Sequence, residues 1–322
     1  MRPSSRRALT LLELLIVLAV TGGLASIVVQ AVQRARAAAA TAQCANNLKQ
    51  IGLALHSYHD TNGSLPSGLT FTAPTWYWSW MAMILPYGGQ GPLYNTAYAY
   101  ASSTGGYTSF VNPVESTVIP HYICPADPNS LPAAHPTTDF ATIADYNAQN
   151  LAVAFTTYLG VAGNPGDMLD PAPEGPLYRN SHVKFSQITD GLSRTFMVGE
   201  RPPSPDKLSG WWFAGAGYDY ADATTIGMSS GVGDHLLGAK QRGYLAWVEA
   251  NYPGTHCPAS YLRYQAGVAS DNCDQIHFWS HHSSGSNFLY ADGSVHFINY
   301  NVGQGVFAGM CTIAGGEPAT LP

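Results

Sequence analysis

The sequence predicts an α+β fold in which one long N-terminal α-helix packs on a large, mostly antiparallel, β-rich globular head. Three observations support this prediction. An apolar run opens the chain, an amphipathic stripe with helical spacing follows it, and the remainder alternates short β-like runs with glycine and proline. Only 11% of the 322 residues are charged, against about 25% in an average soluble domain. This composition favours a loop-rich extracytoplasmic body over a helical cytosolic enzyme.

The first half of the helix is an apolar segment, residues 9–32, whose only charged side chain is Glu13. At about 1.5 Å per residue the segment is long enough to cross a bilayer once. A carboxylate inside hydrocarbon costs about 2.5–3.5 kcal/mol on insertion scales, so such a residue usually marks a function. The adjacent pair Gly22 and Gly23 would weaken the helix locally.

The second half of the helix, residues 33–62, is amphipathic. Its apolar positions recur at alternating steps of four and three residues, which is the spacing of one helical face. They are Cys44, Leu48, Ile51, Leu55 and Tyr58. Gly63 and Pro66 then end the helix, and the head occupies residues 63–322.

Five cysteines are present, with no CxxC pair and no spacing typical of zinc ligands. In an exported protein such cysteines predict disulfides rather than metal or redox chemistry. Cys257 and Cys273 bracket a short loop and form one candidate bridge. Cys44 and Cys124 form the second, which would attach the helix to the head. The odd count leaves one thiol over.

The tryptophans of WYWSWM lie at alternate positions, which predicts that Trp76, Trp78 and Trp80 share one face of a strand. Two interpretations remain open for this face. It is either a platform on which a sugar stacks, or part of the core or of a subunit interface, which is the commoner role of such stripes.

The segment SNFLYADGSVHFI predicts a β-hairpin with a two-residue turn at Asp292-Gly293. That register pairs Tyr290 with Val295 and Phe288 with Phe297 on one apolar face. The amphipathic stripe of the helix must be buried, and we expect this face of the sheet to cover it.

Enzyme motifs are absent from the sequence, which contains no G-x-S-x-G, HExxH, Walker or Rossmann pattern. His56 and His59 lie three positions apart on the helix, either as metal ligands or as partly exposed structural residues. The formal charge of −6, without a clustered basic face, argues against nucleic-acid binding. We therefore expect no catalysis.

The segment ALTLLELLIVLAV resembles the N-terminal signature of type IV pilins and type II secretion pseudopilins. The resemblance implies a leader of residues 1–8, cleaved between Ala8 and Leu9 by a prepilin peptidase that also methylates Leu9. Thr10 and Glu13 then become the second and fifth mature residues. Alanine instead of glycine precedes the cut and leucine instead of phenylalanine follows it. No proline interrupts the span, which leaves Gly22-Gly23 as the place where the helix would melt on assembly.

Four further segments, in order, resemble the DUF1559 family of large pilin-like proteins with an H-x9-DG motif. They are CANNLKQIGLALHSYHDTNGSLP, YICPADPN, ITDGLSRTFMVGER and HSSGSNFLYADGSVHF. Here the motif is His282 followed by Asp292-Gly293. Analogy with secretion pseudopilins, whose C-terminal loops can hold Ca²⁺, implies a calcium role for Asp292. No cofactor is otherwise required.

Together the resemblances imply a structural subunit of a type IV pilus-like or pseudopilus filament. The precursor would cross the inner membrane once, in contact with lipid, and then assemble into a helical homo-oligomer at the cell surface or in the periplasm. Its partners would be the prepilin peptidase and the assembly platform with its ATPase. Glu13 would neutralise the α-amino group of an adjacent subunit, because a buried charge is tolerated only when paired. The alternative is a membrane-anchored extracytoplasmic protein that binds a solute or carbohydrate.

Overall fold

The computed structural model describes residues 11–105, 112–128, 133, 152–163, 174–205, 207, 209–214, 235–239, 245, 248–249 and 254–316. The α-helices are α1 (Leu11–Asn62), α2 (Trp80–Met83), α3 (Gly91–Thr104) and α4 (Gln304–Met310). The strands are β1 (Tyr158–Gly163), β2 (Phe196–Glu200), β3 (Leu236–Gly238), β4 (Gly285–Tyr290) and β5 (Val295–Asn299). Short 3-10 turns occupy Pro120–Tyr122, Phe185–Gln187, Ala259–Tyr261 and Asn272–Ile276. The predicted α+β class is confirmed.

Helix α1 runs without interruption for 52 residues, a length of about 78 Å at the standard rise. It ends at Gly63, whose φ of 77° is left-handed and whose N–H donates to the carbonyl of His59 at 2.7 Å. From Leu11 to Ala39 its side chains are exposed, and its first buried residue is Cys44. We call residues 11–39 the stem. The helix therefore enters the head only with its second half.

The five strands form one mixed sheet in the order β3-β1-β2-β4-β5. Strand β1 is parallel to β3 and antiparallel to β2, and β4 is antiparallel to both β2 and β5. The predicted predominance of antiparallel pairing is confirmed. Strand β4, next to the edge strand β5, lies against α1.

The two faces of the sheet bury separate apolar clusters. On one face the stripe of α1 packs with Leu289 and the residues around α2. Gly52 allows the closest approach there, since a Cβ atom at that position would lie 2.8 Å from Cδ1 of Leu289. On the other face Phe288 stacks on Phe196, with ring centroids 4.4 Å apart, beneath Phe307 of α4. The sheet is thus covered on both sides.

The hairpin is present, but its predicted register is wrong by one residue. Leu289 pairs with Val295 and Phe288 with His296, and the loop contains three residues, Ala291 to Gly293. Only Gly293 has a positive φ, of 83°, as expected for a turn closed by a glycine bulge. Because successive side chains of a strand point to opposite faces, a shift of one residue changes which hairpin side chains share a face of the sheet. Leu289, with Val295 beside it, therefore covers α1, whereas Phe288 lies in the opposite cluster.

The predicted WYWSWM strand is also wrong. Tyr77 has a φ of 65°, which breaks an extended strand, and Trp80 begins helix α2. Trp78 and Trp80 are fully buried. The indole Nε1 of Trp80 donates to the carbonyl of His235 at 3.0 Å. Of the two interpretations left open for these tryptophans, the structure supports the core role.

Candidate functional site

The predicted processing residues Ala8, Leu9 and Thr10 lie outside the described residues. Glu13 lies in the first described turn of α1. Gly22 and Gly23 lie within the continuous helix, and a Cβ atom on either would have no neighbour within 4 Å. An 18-residue window of α1 has a mean hydropathy of 2.4 and is not buried against the head. Among the described residues α1 is the one helix long and apolar enough to span a membrane, and it fits a single membrane anchor.

A cluster of buried cysteine, histidine and glutamate side chains lies where α1 enters the head. Cys44 and Cys124 form a disulfide there, with an S–S distance of 1.99 Å and a Cα–Cα distance of 4.8 Å. Glu200, the last residue of β2, and His282, just before β4, reach the same point. All four residues are buried, and one ligand atom from each lies within 4.8 Å of the others. We call these four residues the junction cluster.

The imidazole of His282 occupies the middle of the junction cluster. Its Nε2 lies 3.7 Å from Sγ of Cys124 and 3.4 Å from Oε1 of Glu200. Its Nδ1 lies 3.1 Å from the hydroxyl oxygen of Thr41 in α1. That hydroxyl is also 3.0 Å from the carbonyl of Ala37, to which it donates. The ring is therefore anchored to the helix and directed at a sulfur and a carboxylate.

Glu200 is held by one residue of the neighbouring strand. The backbone N–H of Asn287 donates to Oε2 at 2.7 Å, and its side-chain Nδ2 donates to Oε1 at 3.0 Å. Only about 1% of Glu200 is exposed. A buried carboxylate is tolerated only with such partners. The two bonds fix the carboxylate so that Oε1 faces His282.

Tyr158 closes the cluster from the sheet. Its hydroxyl donates to the backbone carbonyl of Cys44 at 3.2 Å. Burial, and then the nearby negative charge of Glu200, raise the pKa of this tyrosine well above its usual value. Tyr158 therefore stays neutral and acts as a donor. One turn further along α1, Nδ2 of Asn47 donates to the carbonyl of Ile123 at 2.8 Å.

A groove of about 600 Å³ borders the cluster at His282, which is the one member of the four in its lining. Its walls come from the last exposed turn of α1 and from the head, and include Ala37, Thr41, Pro125, His282 and Phe297. Phe297 is 40% exposed. A small ion can therefore reach His282 without unfolding the head.

The second predicted disulfide, between Cys257 and Cys273, is also present, with an S–S distance of 2.05 Å. Cys311 is the remaining thiol. It is fully buried, and burial raises the pKa of this thiol. A buried neutral thiol is a poor nucleophile. Cys311 thus behaves as a small apolar core residue.

The other candidate residues make local contacts within the head. Asp292 is exposed, and its Oδ1 accepts the backbone N–H of Ser294 at 2.8 Å within the hairpin loop. Its predicted calcium role stays a prediction. His59 stacks on Phe185 at 4.0 Å, and its Nε2 accepts the backbone N–H of Phe185 at 3.3 Å. His56 contacts the same ring. Their arrangement fits the structural interpretation of the histidine pair.

A family model described as a protein of unknown function (DUF1559) matches residues 33–305, most of the chain. The chain belongs to the DUF1559 family. No curated protein and no solved structure matches it significantly.

In this DUF1559 protein the junction cluster draws one residue from each of the four segments that carry the resemblance. Cys44 belongs to the first segment, Cys124 to the second, Glu200 to the third and His282 to the fourth. No local sequence pattern marks the cluster as a whole, because its members are separated by up to 238 positions, from 44 to 282. The one available signal was that all four segments are landmarks of a single family.

Proposed function

We propose that this chain is a structural subunit of an extracytoplasmic type IV pilus-like or pseudopilus filament, assembled through α1 after cleavage by a prepilin peptidase. The stem supports this proposal. Its side chains from Leu11 to Ala39 are exposed and mainly apolar, whereas one face of the same helix is buried in the head between Cys44 and Leu55. Such a surface needs lipid or other apolar helices around it. A membrane provides the first environment before assembly, and the stems of neighbouring subunits provide the second within a filament.

The pilin-like order of residues around Glu13 supports a filament over a simple anchor. A charge in a packed apolar bundle is stable only with a partner of opposite charge. The α-amino group of a neighbouring subunit, freed by cleavage before Leu9, would supply that partner. Assembly would additionally require the platform and ATPase that extract the subunit from the membrane.

The alternative of a membrane-anchored sugar-binding protein loses its main argument. Trp78 and Trp80 are fully buried, so two of the three tryptophans of the platform are not available for stacking on a ligand, and the third, Trp76, is half-buried. We therefore propose the filament alone.

Two measurements test the proposal. Filaments sheared from producing cells should be visible by electron microscopy and should contain this chain when their subunits are identified by mass spectrometry. The mature chain should begin at methylated Leu9. A chain that keeps Met1 in the membrane, together with an absence of filaments, would contradict the proposal.

A further inference from the structure

We propose that the junction cluster becomes a Zn²⁺ site when the bond between Cys44 and Cys124 is reduced. The cluster then offers two thiolate sulfurs, the Nε2 of His282 and the Oε1 of Glu200. Four ligands of this kind around one point form the tetrahedral set that Zn²⁺ prefers. All four residues are buried, and the four atoms lie within 4.8 Å of one another.

Two distances within the cluster, both to Nε2 of His282, match edges of a zinc tetrahedron. The edge of a tetrahedron is about 1.6 times the distance from its centre to a corner. With Zn–N and Zn–O bonds of about 2.0–2.2 Å and Zn–S bonds of about 2.3 Å, the N···O edge is about 3.4 Å and the S···N edge about 3.6 Å. His282 lies 3.4 Å from Oε1 of Glu200 and 3.7 Å from Sγ of Cys124. The main change on reduction is the separation of the two sulfurs.

Hydrogen bonds outside the cluster prepare His282 as a ligand. The Thr41 hydroxyl lies within hydrogen-bond distance of both the Ala37 carbonyl and Nδ1 of His282. When that hydroxyl donates to Ala37 and accepts the Nδ1–H of His282, Nε2 carries a lone pair. It faces Oε1 of Glu200, which is also an acceptor. Two buried acceptors 3.4 Å apart repel unless a cation, either a proton or a metal ion, lies between them.

Glu200 is prepared in the same way. Its two oxygens are held by the N–H and Nδ2 of Asn287, as partners outside the first ligand shell commonly hold a metal-binding carboxylate. A disulfide alone is uncharged and gives no reason to place a carboxylate and an imidazole beside it. Zn²⁺ does give that reason, and the groove beside His282 gives the ion a route in.

The chemistry of the exchange balances. A phosphine reductant opens the S–S bond and takes the oxygen of one water to become a phosphine oxide, while the two sulfurs gain two electrons and the two hydrogens of that water, leaving two thiols. Zn²⁺ then displaces the two thiol protons to the solvent and forms two Zn–S bonds, while His282 and Glu200 each contribute an electron pair. The disulfide and the metal therefore exclude each other at this site.

The experiment uses the full-length chain in detergent, oxidised or reduced with a phosphine and kept anaerobic. Each sample is incubated with Zn²⁺ and desalted, and metal and free thiols are counted. Reduced wild type should retain about one Zn²⁺ per chain and the oxidised form essentially none. Co²⁺ in place of Zn²⁺ should give the intense visible bands of a tetrahedral site and a thiolate-to-cobalt charge-transfer band. Absence of retained metal in the reduced chain, or equal retention in the oxidised chain, would overturn the proposal.

Substitutions of the proposed ligands and of a neighbouring histidine test where the ion binds. His282→Ala and Glu200→Gln should weaken Zn²⁺ binding by more than the about 10–100-fold typical for loss of an outer-shell partner. Thr41→Val, which removes the hydroxyl beside Nδ1 of His282, should weaken Zn²⁺ binding by about 10–100-fold. His281→Ala is the matched control, because the neighbouring His281 pairs with Asp127 at 3.2 Å instead, and it should bind as wild type does.

Cysteine pairs provide the last comparison. Cys44→Ser/Cys124→Ser should lose the ion, whereas Cys257→Ser/Cys273→Ser should keep it. If the first pair fails to fold, the contrast between His281→Ala and His282→Ala decides in a chain with all its thiols. Equal binding by those two variants would contradict the proposed ligand set.

Discussion

Gly52 of α1 rests directly on Leu289 of β4. A Cβ atom at position 52 would lie 2.8 Å from Cδ1 of Leu289, and Leu289 is fully buried. A side chain at position 52 would therefore collide with Leu289, and the glycine allows α1 to lie directly against the sheet at this point. This contact decides which face of the hairpin covers α1.

Gly52→Val should destabilise the head by about 1–3 kcal/mol, because three added carbon atoms, Cβ and two methyl groups, must enter a filled core. The measurement is thermal or urea unfolding of the full-length chain in detergent. Leu53→Val is the control, since it adds a β-branched residue at the next position, where the side chain is 63% exposed. Equal stability of the two variants would show that α1 does not approach the sheet at Gly52.

Alanine substitutions in the buried stripe of α1 should cost more stability than the same substitutions at the exposed neighbouring positions. Leu55 is fully buried, so Leu55→Ala should cost about 2–5 kcal/mol. Leu53→Ala makes the same change on the exposed side of α1 and should cost less than about 1 kcal/mol. Phe297→Ala should also be mild, since Phe297 is 40% exposed. A large loss of stability from Leu53→Ala in the isolated subunit would argue that another face of α1 packs against the head.

The two disulfides should differ in how much they stabilise the fold. Cys44 and Cys124 are 80 positions apart, and Cys257 and Cys273 are 16 apart. In the chain-entropy model these loops give about 4.5 and about 3 kcal/mol. Replacing the first pair by alanine should therefore lower the free energy of unfolding more than replacing the second. The reverse order in metal-free urea titrations would contradict this account.

Stability should fall in acid partly because of His235. Burial lowers the pKa of this histidine from its ordinary value of 6.5 to about 3. Between these values the unfolded chain binds a proton that the folded chain excludes. The free energy of unfolding should thus decrease as the pH falls through that window, by at most about 1.4 kcal/mol per pH unit. His235→Gln should flatten this slope, and His121→Gln, which changes an exposed histidine, is the control. An unchanged slope would show that His235 does not carry the effect.

Glu13→Leu should leave membrane insertion intact or improve it, because it removes a charge from the apolar segment. Filament yield should collapse if Glu13 neutralises a neighbouring amino terminus. Gln30→Leu is the matched control, since it also replaces a polar stem residue by leucine. Both yields are measured by shearing and quantifying filaments. Normal filaments from Glu13→Leu would exclude the pairing mechanism.

Local patterns in the sequence predicted the helix well. The four-three spacing from Cys44 to Tyr58 identified the buried face, and Gly63 marked the end of α1. These features depend on residues close together along the chain. The two disulfides were also predicted, since Cys257 and Cys273 lie on one short loop and Cys44 lies on the buried face of α1.

Predictions that depended on tertiary packing were less accurate. The Asp292-Gly293 pair fits both a two-residue and a three-residue loop, and the contact between Leu289 and Gly52, far away in sequence, decides between them. The alternation in WYWSWM resembles a strand, but the left-handed Tyr77 interrupts it. Of the junction cluster only the Cys44–Cys124 pair was predicted, because no spacing rule connects these cysteines with Glu200 and His282.

The point at which α1 enters the head also sets how the molecule would carry mechanical load. Cys44 is the first buried residue of the helix, and it is covalently bound to Cys124 of the head. A pull along the stem therefore reaches a covalent bond before it can shear the apolar interface that follows. In the oxidised subunit tension passes into the globular body through that bond. In the reduced chain the interface of α1 with the sheet bears the force, and the proposed filament would be mechanically weaker.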